Sequence, residues 1–505
     1  MIAGGLAARL AWFAATRFTF EDAFITFQFA KRLAGGEGFV YNPGEPIYGT
    51  TTPLFTLLLA GWLKLFPGHP VAGATLLDLA ASAGALVLTW AALTRLGVTP
   101  RARLCAIGAL AICDKLWLHD TGGMETPLLL CLMAASGYAC LRGWPVRAGI
   151  TGGLLLWTRL DTVTWLAALF AAAIWTTRRV PWRAIVSAAA TYAPWLVFAV
   201  ATFNSPIPHT IIAKWFSYSA FHPPPWRTSA AALLAQISPS NALGVPAVWP
   251  LTLSAVLLAA AALGLSRIRS HPALVALPVF ASIEALHIVA TGATFETRYC
   301  VPMLAVLLVL AGLEIDRAWD FLGARPLRRR ACALAAGGLA ATFVASAYVS
   351  ARRYRDVQVY RHERGLTAVG NWLHAHTPRD ASVFLEPLGY AGYFADRHMI
   401  DGVGLISPQV VELKKQGLYD ESQLVSHIRP DFFVCHCDAA ALGPKADQED
   451  RVLSLYTLQV TINPFGFDAR RPQKRNLAWV SCYEIWARDG TRTSGPTAAS
   501  PRAGS

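Results

Sequence analysis

Residues 20–53 read FEDAFITFQFAKRLAGGEGFVYNPGEPIYGTTTP, and the acidic pair at the start of this stretch governs how the chain is read. Glu21 and Asp22 follow an apolar run over residues 2–18, at the point where a span would leave a bilayer. Carboxylates are costly next to hydrocarbon, so a pair placed there points to a role. From Asp22 to Leu33 the spacing of Ala23, Phe24, Phe27 and Ala30 predicts an amphipathic helix lying on the membrane surface. Gly35-Gly36 and Asn42-Pro43-Gly44 predict turns. The plainer alternative is that Glu21 or Asp22 is the acidic N-cap of that helix.

The composition supports a membrane edge. The chain has 505 residues, 54% hydrophobic and 15% charged, with a formal net charge of +13. Residues 1–350 hold 25 Lys/Arg and 14 Asp/Glu, and residues 351–505 hold 19 and 17. The first part is thus about 11% charged and the second about 23%, against roughly 25% for an ordinary soluble domain. This predicts a polytopic helical membrane region over 1–350 (first outer loop 19–53), a soluble α/β domain over 351–488, and a disordered tail over 489–505 rich in Gly, Ser, Thr, Pro and Ala.

Apolar runs recur at 2–18, 71–94, 102–118, 124–141, 147–158, 162–177, 183–202, 242–265, 272–291, 299–313 and 331–350, about eleven candidate spans, several shorter than the roughly 20 residues of a straight crossing. The first contains Arg9 and has no clear cleavage site after it, so it reads as a span short of a few residues at its start rather than a signal peptide. If the loop after it faces outward, the inward segments 95–103, 142–147, 178–183, 266–270 and 314–330 hold fifteen basic residues against the acids Glu314, Asp316 and Asp320. Every alternation then obeys the positive-inside rule, and residues 351–505 fall outside the cytoplasm. The same topology accounts for the basic charge, so nucleic acid is not expected as a partner.

Charge is scarce before residue 350, which makes its outward members conspicuous. These are Glu21, Asp22, His119, Asp120, Glu125, Arg159, Asp161, His209, Lys214, Glu296 and Arg298. Together they line every outer loop, the pattern of a site built at the membrane surface. Carboxylates there can take a proton from a hydroxyl, and Lys214 and Arg298 can hold a phosphate by charge-assisted hydrogen bonds. A transporter would instead concentrate ionisable groups at mid-bilayer on broken helices. Asp78, Asp114 and Glu284 are the scattered candidates for that reading.

In the soluble part, Leu366, Val369, Trp372 and Leu373 predict a helix to His376. Strands are predicted over Ala381–Leu385, Asp431–Cys435, Leu455–Ile462 and Trp479–Trp486. Cys435-His436-Cys437 lacks zinc-knuckle spacing. One disulfide to Cys482 is compatible with an extracytoplasmic domain.

The stretch EDAFITFQFAKRLAGGEGFVYNPGEPIYGTTTPLFTLLLA resembles the first outer loop of GT-C membrane glycosyltransferases, and looks nearest to the branch that contains the mycobacterial terminal arabinofuranosyltransferase. The matching residues are Asp22, Ala23, Phe24, Ile25, Thr26, Phe27, Ala30 and Asn42-Pro43-Gly44-Glu45. Shorter similar pieces are Gly123-Met124-Glu125-Thr126, Thr158-Arg159-Leu160-Asp161, Pro208-His209-Thr210, Ala213-Lys214, Arg298-Tyr299, Gly389-Tyr390 and Asp401–Leu405. The resemblance implies a multi-pass bacterial plasma-membrane enzyme with a polyprenyl-phosphate-sugar donor. The sugar, arabinofuranose or another pentose or hexose, would pass to an extracytoplasmic glycan, lipid or protein. It also implies that Asp22 is the catalytic carboxylate, with Glu21 standing where the family often has Asp. Lys214, Arg298 and His209 are candidates for the donor phosphate, and Glu125, Arg159, Asp161, Glu296 and Tyr48 are further site candidates. An acidic first-loop pair can hold a divalent cation, but no octahedral set of oxygen ligands is legible, so no metal ligand is assigned. The alternatives are a transporter or flippase of lipid-linked sugars, and a sensor or assembly protein acting through the soluble domain.

Overall fold

The computed structural model describes residues 1–219, 225–240, 248–269, 271–291, 297–314, 326–437, 455–466 and 477–491, and the statements below concern these. The architecture is a helical membrane bundle followed by a small sheet domain. Five helices are long and apolar enough to cross a membrane: Pro70–Arg95, Leu160–Thr177, Trp182–Phe203, Pro250–Arg269 and Pro272–Thr291. Shorter apolar helices span Ile2–Thr16, Pro53–Leu65, Thr126–Leu141 and Val301–Gly312. Helix Pro53–Leu65 lies outside the spans expected from the sequence. It begins on Pro53, a residue suited to the first helical turn because its missing N–H has no partner there anyway.

Two sequence features explain how the bundle closes. Gly149 and Gly153 are four apart on helix Pro145–Thr158, and a Cβ at Gly153 would lie 2.5 Å from the Thr191 Cβ of helix Trp182–Phe203. Small residues at this spacing let two backbones approach closely in a membrane. Arg9, an anomaly within the first apolar run, is 1% exposed. Its Nε donates to Asp120 Oδ2 at 2.6 Å, and its terminal nitrogens donate to the carbonyls of Gly5, Leu110 and Ala111 at 3.0–3.2 Å. Helix Pro100–Ile112 ends at that point, so the guanidinium satisfies carbonyls that the helix end leaves without partners. The charge is thereby paired and hydrogen-bonded inside the bundle, as a buried charge must be.

The C-terminal domain is reached through a continuous helical run, Pro326–Asp356, Val357–Thr367 and Ala368–His376. It contains a five-stranded sheet of order β2-β1-β3-β5-β4. The strands are β1 (Ser382–Leu385), β2 (His398–Asp401), β3 (Phe432–His436), β4 (Tyr456–Ile462) and β5 (Tyr483–Arg488). β1 runs parallel to β2 and β3, and β5 runs antiparallel to β3 and β4. Strand β2 was not foreseen, and the run predicted from Trp479 is a short helix, Leu477–Val480, before β5 begins at Tyr483. Residues of β1 alternate as a pleat requires. Val383 and Leu385 face the core shared with the first loop, and Phe384 faces the core under helices Pro408–Lys415 and Glu421–Ile428. A disulfide joins Cys437 to Cys482, and Cys435 is buried outside any disulfide. Most of the expected tail, residues 492–505, lies outside the described residues.

The helix expected after Asp22 is Ala23–Ala34, but it does not lie on an open surface. Ala23 to Ala30 are all buried, between helix Pro53–Leu65 and helix Gly389–Ala395 of the C-terminal domain. Phe24 stacks on Tyr390 with ring centroids 3.8 Å apart. Its apolar residues surround the helix more fully than a surface stripe would, and a helix apolar all round is a buried one. The turn at Asn42 fixes the same junction. Asn42 Nδ2 donates to the Met399 carbonyl at 2.9 Å, and Met399 N donates to Asn42 Oδ1 at 3.0 Å. The amide side chain thus pairs the outer edge of β2, which would otherwise present unpaired backbone groups. Glu45 adds a contact of 2.9 Å to His398 Nε2.

Asn42→Ala strips both hydrogen bonds from Met399. The expected cost is about 1–3 kcal/mol, because buried backbone groups lose their partner. It should appear as faster amide exchange at Met399 and a lower melting temperature, and unchanged exchange there would remove Asn42 from this role.

Candidate functional site at the junction of the first loop and the C-terminal domain

Helix Ile2–Thr16 ends on Arg17 in the left-handed region, φ 49°, which turns the chain across the end of the bundle. Phe20 N then donates to the Gly122 carbonyl at 2.9 Å, and the Phe20 ring stacks on His119. These contacts set Glu21 and Asp22 at the head of helix Ala23–Ala34. Asp22 occupies the N-cap position, but its backbone is already helical and its side chain makes no capping hydrogen bond. The carboxylate instead meets Arg298, with Arg298 Nη2 2.8 Å from Asp22 Oδ2. Its side chain keeps 37% exposure, so it opens onto space as well as onto its partner.

The two acids are neighbours in sequence with opposite electrostatics. Burial, with the Asp22 charge beside it, pushes the Glu21 carboxyl up to about 8, against the Arg361 guanidinium and the backbone N–H groups of Gly389 and Tyr390. Burial alone would also raise Asp22, but the Arg298 guanidinium and the Lys214 ammonium outweigh it and hold Asp22 below the usual carboxylate range. One acid is thus kept mainly protonated at neutral pH and the other ionised.

Glu21 also anchors the C-terminal domain. Tyr390 N donates to Glu21 Oε1 at 3.2 Å. Gly389 lies so close that a Cβ there would overlap the Glu21 carbonyl oxygen, so only glycine admits this approach.

Next to Asp22, cations from three separate segments surround the ring of Tyr299. Arg159 lies 4.7 Å, Arg298 5.4 Å and Lys214 5.8 Å from its centroid. Lys214 Nζ also donates to the Tyr299 hydroxyl at 3.3 Å. An aromatic face attracts cations and lets them gather at a spacing that bare repulsion would oppose. Arg159 is 4% exposed and is held by Asp161, through Nε to Oδ1 at 3.0 Å, and by Glu125 at 3.7 Å. Beside this cluster is a cavity of about 230 Å³ lined by Arg159, Asp161, Lys214, Tyr299 and Thr51, with Ile211 and Ile288 among its apolar walls. Cationic groups beside an apolar cavity suit an anionic head group carried on a hydrocarbon chain. Among the described residues, no three His, Cys, Asp or Glu side chains converge as a metal-ligand set.

ArnT from Cupriavidus metallidurans, solved bound to undecaprenyl phosphate, superposes with a TM-score of 0.59 at 14% identity, over 97% of this chain and 98% of that one. The archaeal oligosaccharyltransferase AglB from Archaeoglobus fulgidus, solved with an inhibitory peptide and a dolichol-phosphate, superposes with a TM-score of 0.52 at 13% identity, over 92% of this chain and 73% of that one. The chain has a GT-C-like fold. Residues 352–492 match a family described only as a domain of unknown function, DUF8728. No curated protein matches the sequence.

Within this fold the residues singled out from sequence fall into two groups. Asp22, Arg298, Lys214, Arg159, Asp161 and Glu125 converge around Tyr299, and Glu21 stands behind Asp22. Tyr48 and His209 stand apart. Tyr48 is buried, and its hydroxyl accepts from Trp195 Nε1 at 2.6 Å. His209 N donates to the Tyr48 carbonyl at 2.8 Å, and the charges facing its ring are Asp401, Lys415 and Glu412 of the C-terminal domain. Burial pushes the His209 pKa down. Glu296 lies outside the described residues. Sequence reasoning missed Tyr299 as the ring that gathers the cations, since a tyrosine beside an arginine carries no such signal. It also missed Thr51, whose only mark is its Thr-rich turn.

The Glu21 shift gives stability a defined pH dependence. A carboxyl raised from its ordinary 4.5 to about 8 binds more protons folded than unfolded between those values. Its contribution is therefore complete below 4.5 and is lost as pH rises through about 8. Glu21→Gln should flatten the decline in melting temperature over that window, and an equally steep decline in the variant would assign it to other groups.

Proposed function

We propose that the chain is a membrane glycosyltransferase that moves a sugar from a polyprenyl-phosphate donor to a hydroxyl on an extracytoplasmic cell-envelope acceptor. The observation that carries this reading is Asp22, held ionised by Arg298 at the edge of the Tyr299 cation cluster. The relatives that share the fold, by the descriptions of their structures, were solved with undecaprenyl phosphate and dolichol-phosphate. Arabinofuranose is the sugar to test first, because the first-loop resemblance points to it, with other pentoses and hexoses after it.

In this reading the lipid phosphate lies against Lys214, Arg298 and Arg159, with its chain toward the apolar side of the cavity. The acceptor oxygen attacks the anomeric carbon as Asp22 takes its proton. The bond from that carbon to the phosphate oxygen breaks, and the lipid phosphate leaves with its charge offset by the three cations. A phosphate is a good leaving group, so the chemistry needs no strong acid on that side. The Arg298 pairing keeps Asp22 ionised while the site waits. An incoming phosphate gives Arg298 a second anion to hold and so returns basicity to Asp22. Asp161 and Glu125 keep Arg159 in place while the donor is absent.

The orientation in this reading puts the C-terminal domain outside the cytoplasm. The positive-inside pattern supports it, and so does the Cys437–Cys482 disulfide, since such bonds persist in oxidising compartments. The first-loop resemblance makes a bacterial plasma membrane the host in this reading.

Purified protein given labelled polyprenyl-phosphate sugars should release lipid phosphate. Asp22→Asn should lower transfer by about 10²–10⁴-fold, the usual worth of general-base help. An Asp22→Asn protein that folds and transfers at the parent rate sinks the assignment. Arg298→Ala or Lys214→Ala should lower transfer by about 10²-fold or more, as loss of one charge-stabilising donor does. Unchanged donor dependence would remove these residues from the phosphate. A flippase would move the labelled lipid across a bilayer without releasing lipid phosphate.

A further inference from the structure

A third carboxyl, Glu386, is brought to the same place by the C-terminal domain. β1 ends at Leu385, whose carbonyl accepts from Gly402 N at 3.3 Å. Glu386 follows, and three residues later Gly389 lies against Glu21. The charged groups facing Glu386 are Asp401 on β2, Glu21 and Asp22 of the first loop, and Glu421 on helix Glu421–Ile428. Lys414 also lies within electrostatic range.

Most of these groups are already committed. Asp401 accepts from the backbone nitrogens of Gly404, Leu405 and Ile406 at 2.5–2.9 Å. Lys414 Nζ donates to Ser217 Oγ at 2.8 Å and to the Gly402 carbonyl at 2.6 Å. Glu21 takes the Tyr390 N–H, and Asp22 takes Arg298. Glu386 differs, because its Oε2 is buried and has no hydrogen-bond partner among the described residues. Burial and the surrounding carboxylates hold its carboxyl well above the usual range, so it stays protonated.

A protonated carboxyl offers one O–H donor and one C=O acceptor. A hydroxyl complements both. An acceptor bearing phosphate or carboxylate would be repelled by Asp22, Asp401 and Glu421, and an amine would call for Glu386 in its ionised form.

We propose that Glu386 is an acceptor-positioning residue: it grips a hydroxyl of an uncharged glycan while Asp22 takes the proton of the neighbouring attacking hydroxyl. Asp22 and Glu386 then face two hydroxyls of one sugar ring, one carboxyl ionised and one neutral. This deepens the transferase reading above and rests on it. It also gives the C-terminal domain a direct share of the acceptor site.

The test uses full-length protein in lipid nanodiscs, with a labelled undecaprenyl-phosphate sugar as donor. The acceptors are an octyl glycoside of a neutral disaccharide, its phosphorylated counterpart, and a lysine-containing peptide. The neutral disaccharide should be the preferred acceptor. Glu386→Ala should raise its KM about tenfold, the loss expected for one or two hydrogen bonds. Donor KM, and the thermal stabilisation that undecaprenyl phosphate gives, should stay within about threefold of the parent. Glu386→Gln keeps one donor and one acceptor, so it should restore the acceptor KM to within about threefold. Any of three results overturns the proposal: an unchanged acceptor KM in Glu386→Ala, an equal loss in donor KM, or preference for the phosphorylated or peptide acceptor. A parent protein that releases no lipid phosphate with or without acceptor overturns the transferase reading itself, and this inference with it.

Discussion

The contact on which the rest depends is the one between Glu21 and the backbone at Gly389. A first-loop carboxyl residue and a glycine near the start of a C-terminal helix are 368 positions apart in the chain, yet no side chain fits between them. Because Glu21 is bound there, helix Ala23–Ala34 is held between the bundle and the sheet domain. Phe24, Phe27 and Phe29 then belong to the same core as Val383, Leu388 and Phe432. Packed interiors transmit displacement rather than absorb it. The position of Asp22, one residue on, is therefore set by the C-terminal domain as much as by the membrane helices, and the domain cannot move away without moving the carboxylate.

The fold was legible where the signal was compositional. Apolar runs are averages over many residues, and such averages survive local errors. Features that depend on a distant partner leave no such signal. Helix Ala23–Ala34 was expected at a surface, because nothing in its own sequence announces the helix Gly389–Ala395 that covers it. Strand β2, only four residues long, was missed because its pairing with β1 and Asn42 exists only in the folded chain. Arg9 looked like an exception within a span, and it became intelligible once Asp120, 111 residues away, was seen beside it.

The site shows the same division. Scarcity of charge singled out Asp22, Arg159, Lys214 and Arg298, which the fold brings together, because the bilayer leaves few reasons to keep such residues except each other or a ligand. Scarcity could not mark Tyr299, whose ring is ordinary in an apolar segment, nor Glu386, which sits in a domain of ordinary charge density. Both groups are defined by geometry rather than type. The result is a polarised site. On one side cations gather around an aromatic ring, where Asp22 is kept ionised. On the other, burial and crowding keep the Glu21 and Glu386 carboxyls protonated. A phosphate arriving on the first side meets positive charge, and a neutral hydroxyl arriving on the second meets hydrogen-bond partners without net repulsion. Asp22 is the one group that belongs to both sides, which in the proposed transfer lets it take a proton as charge develops on the phosphate.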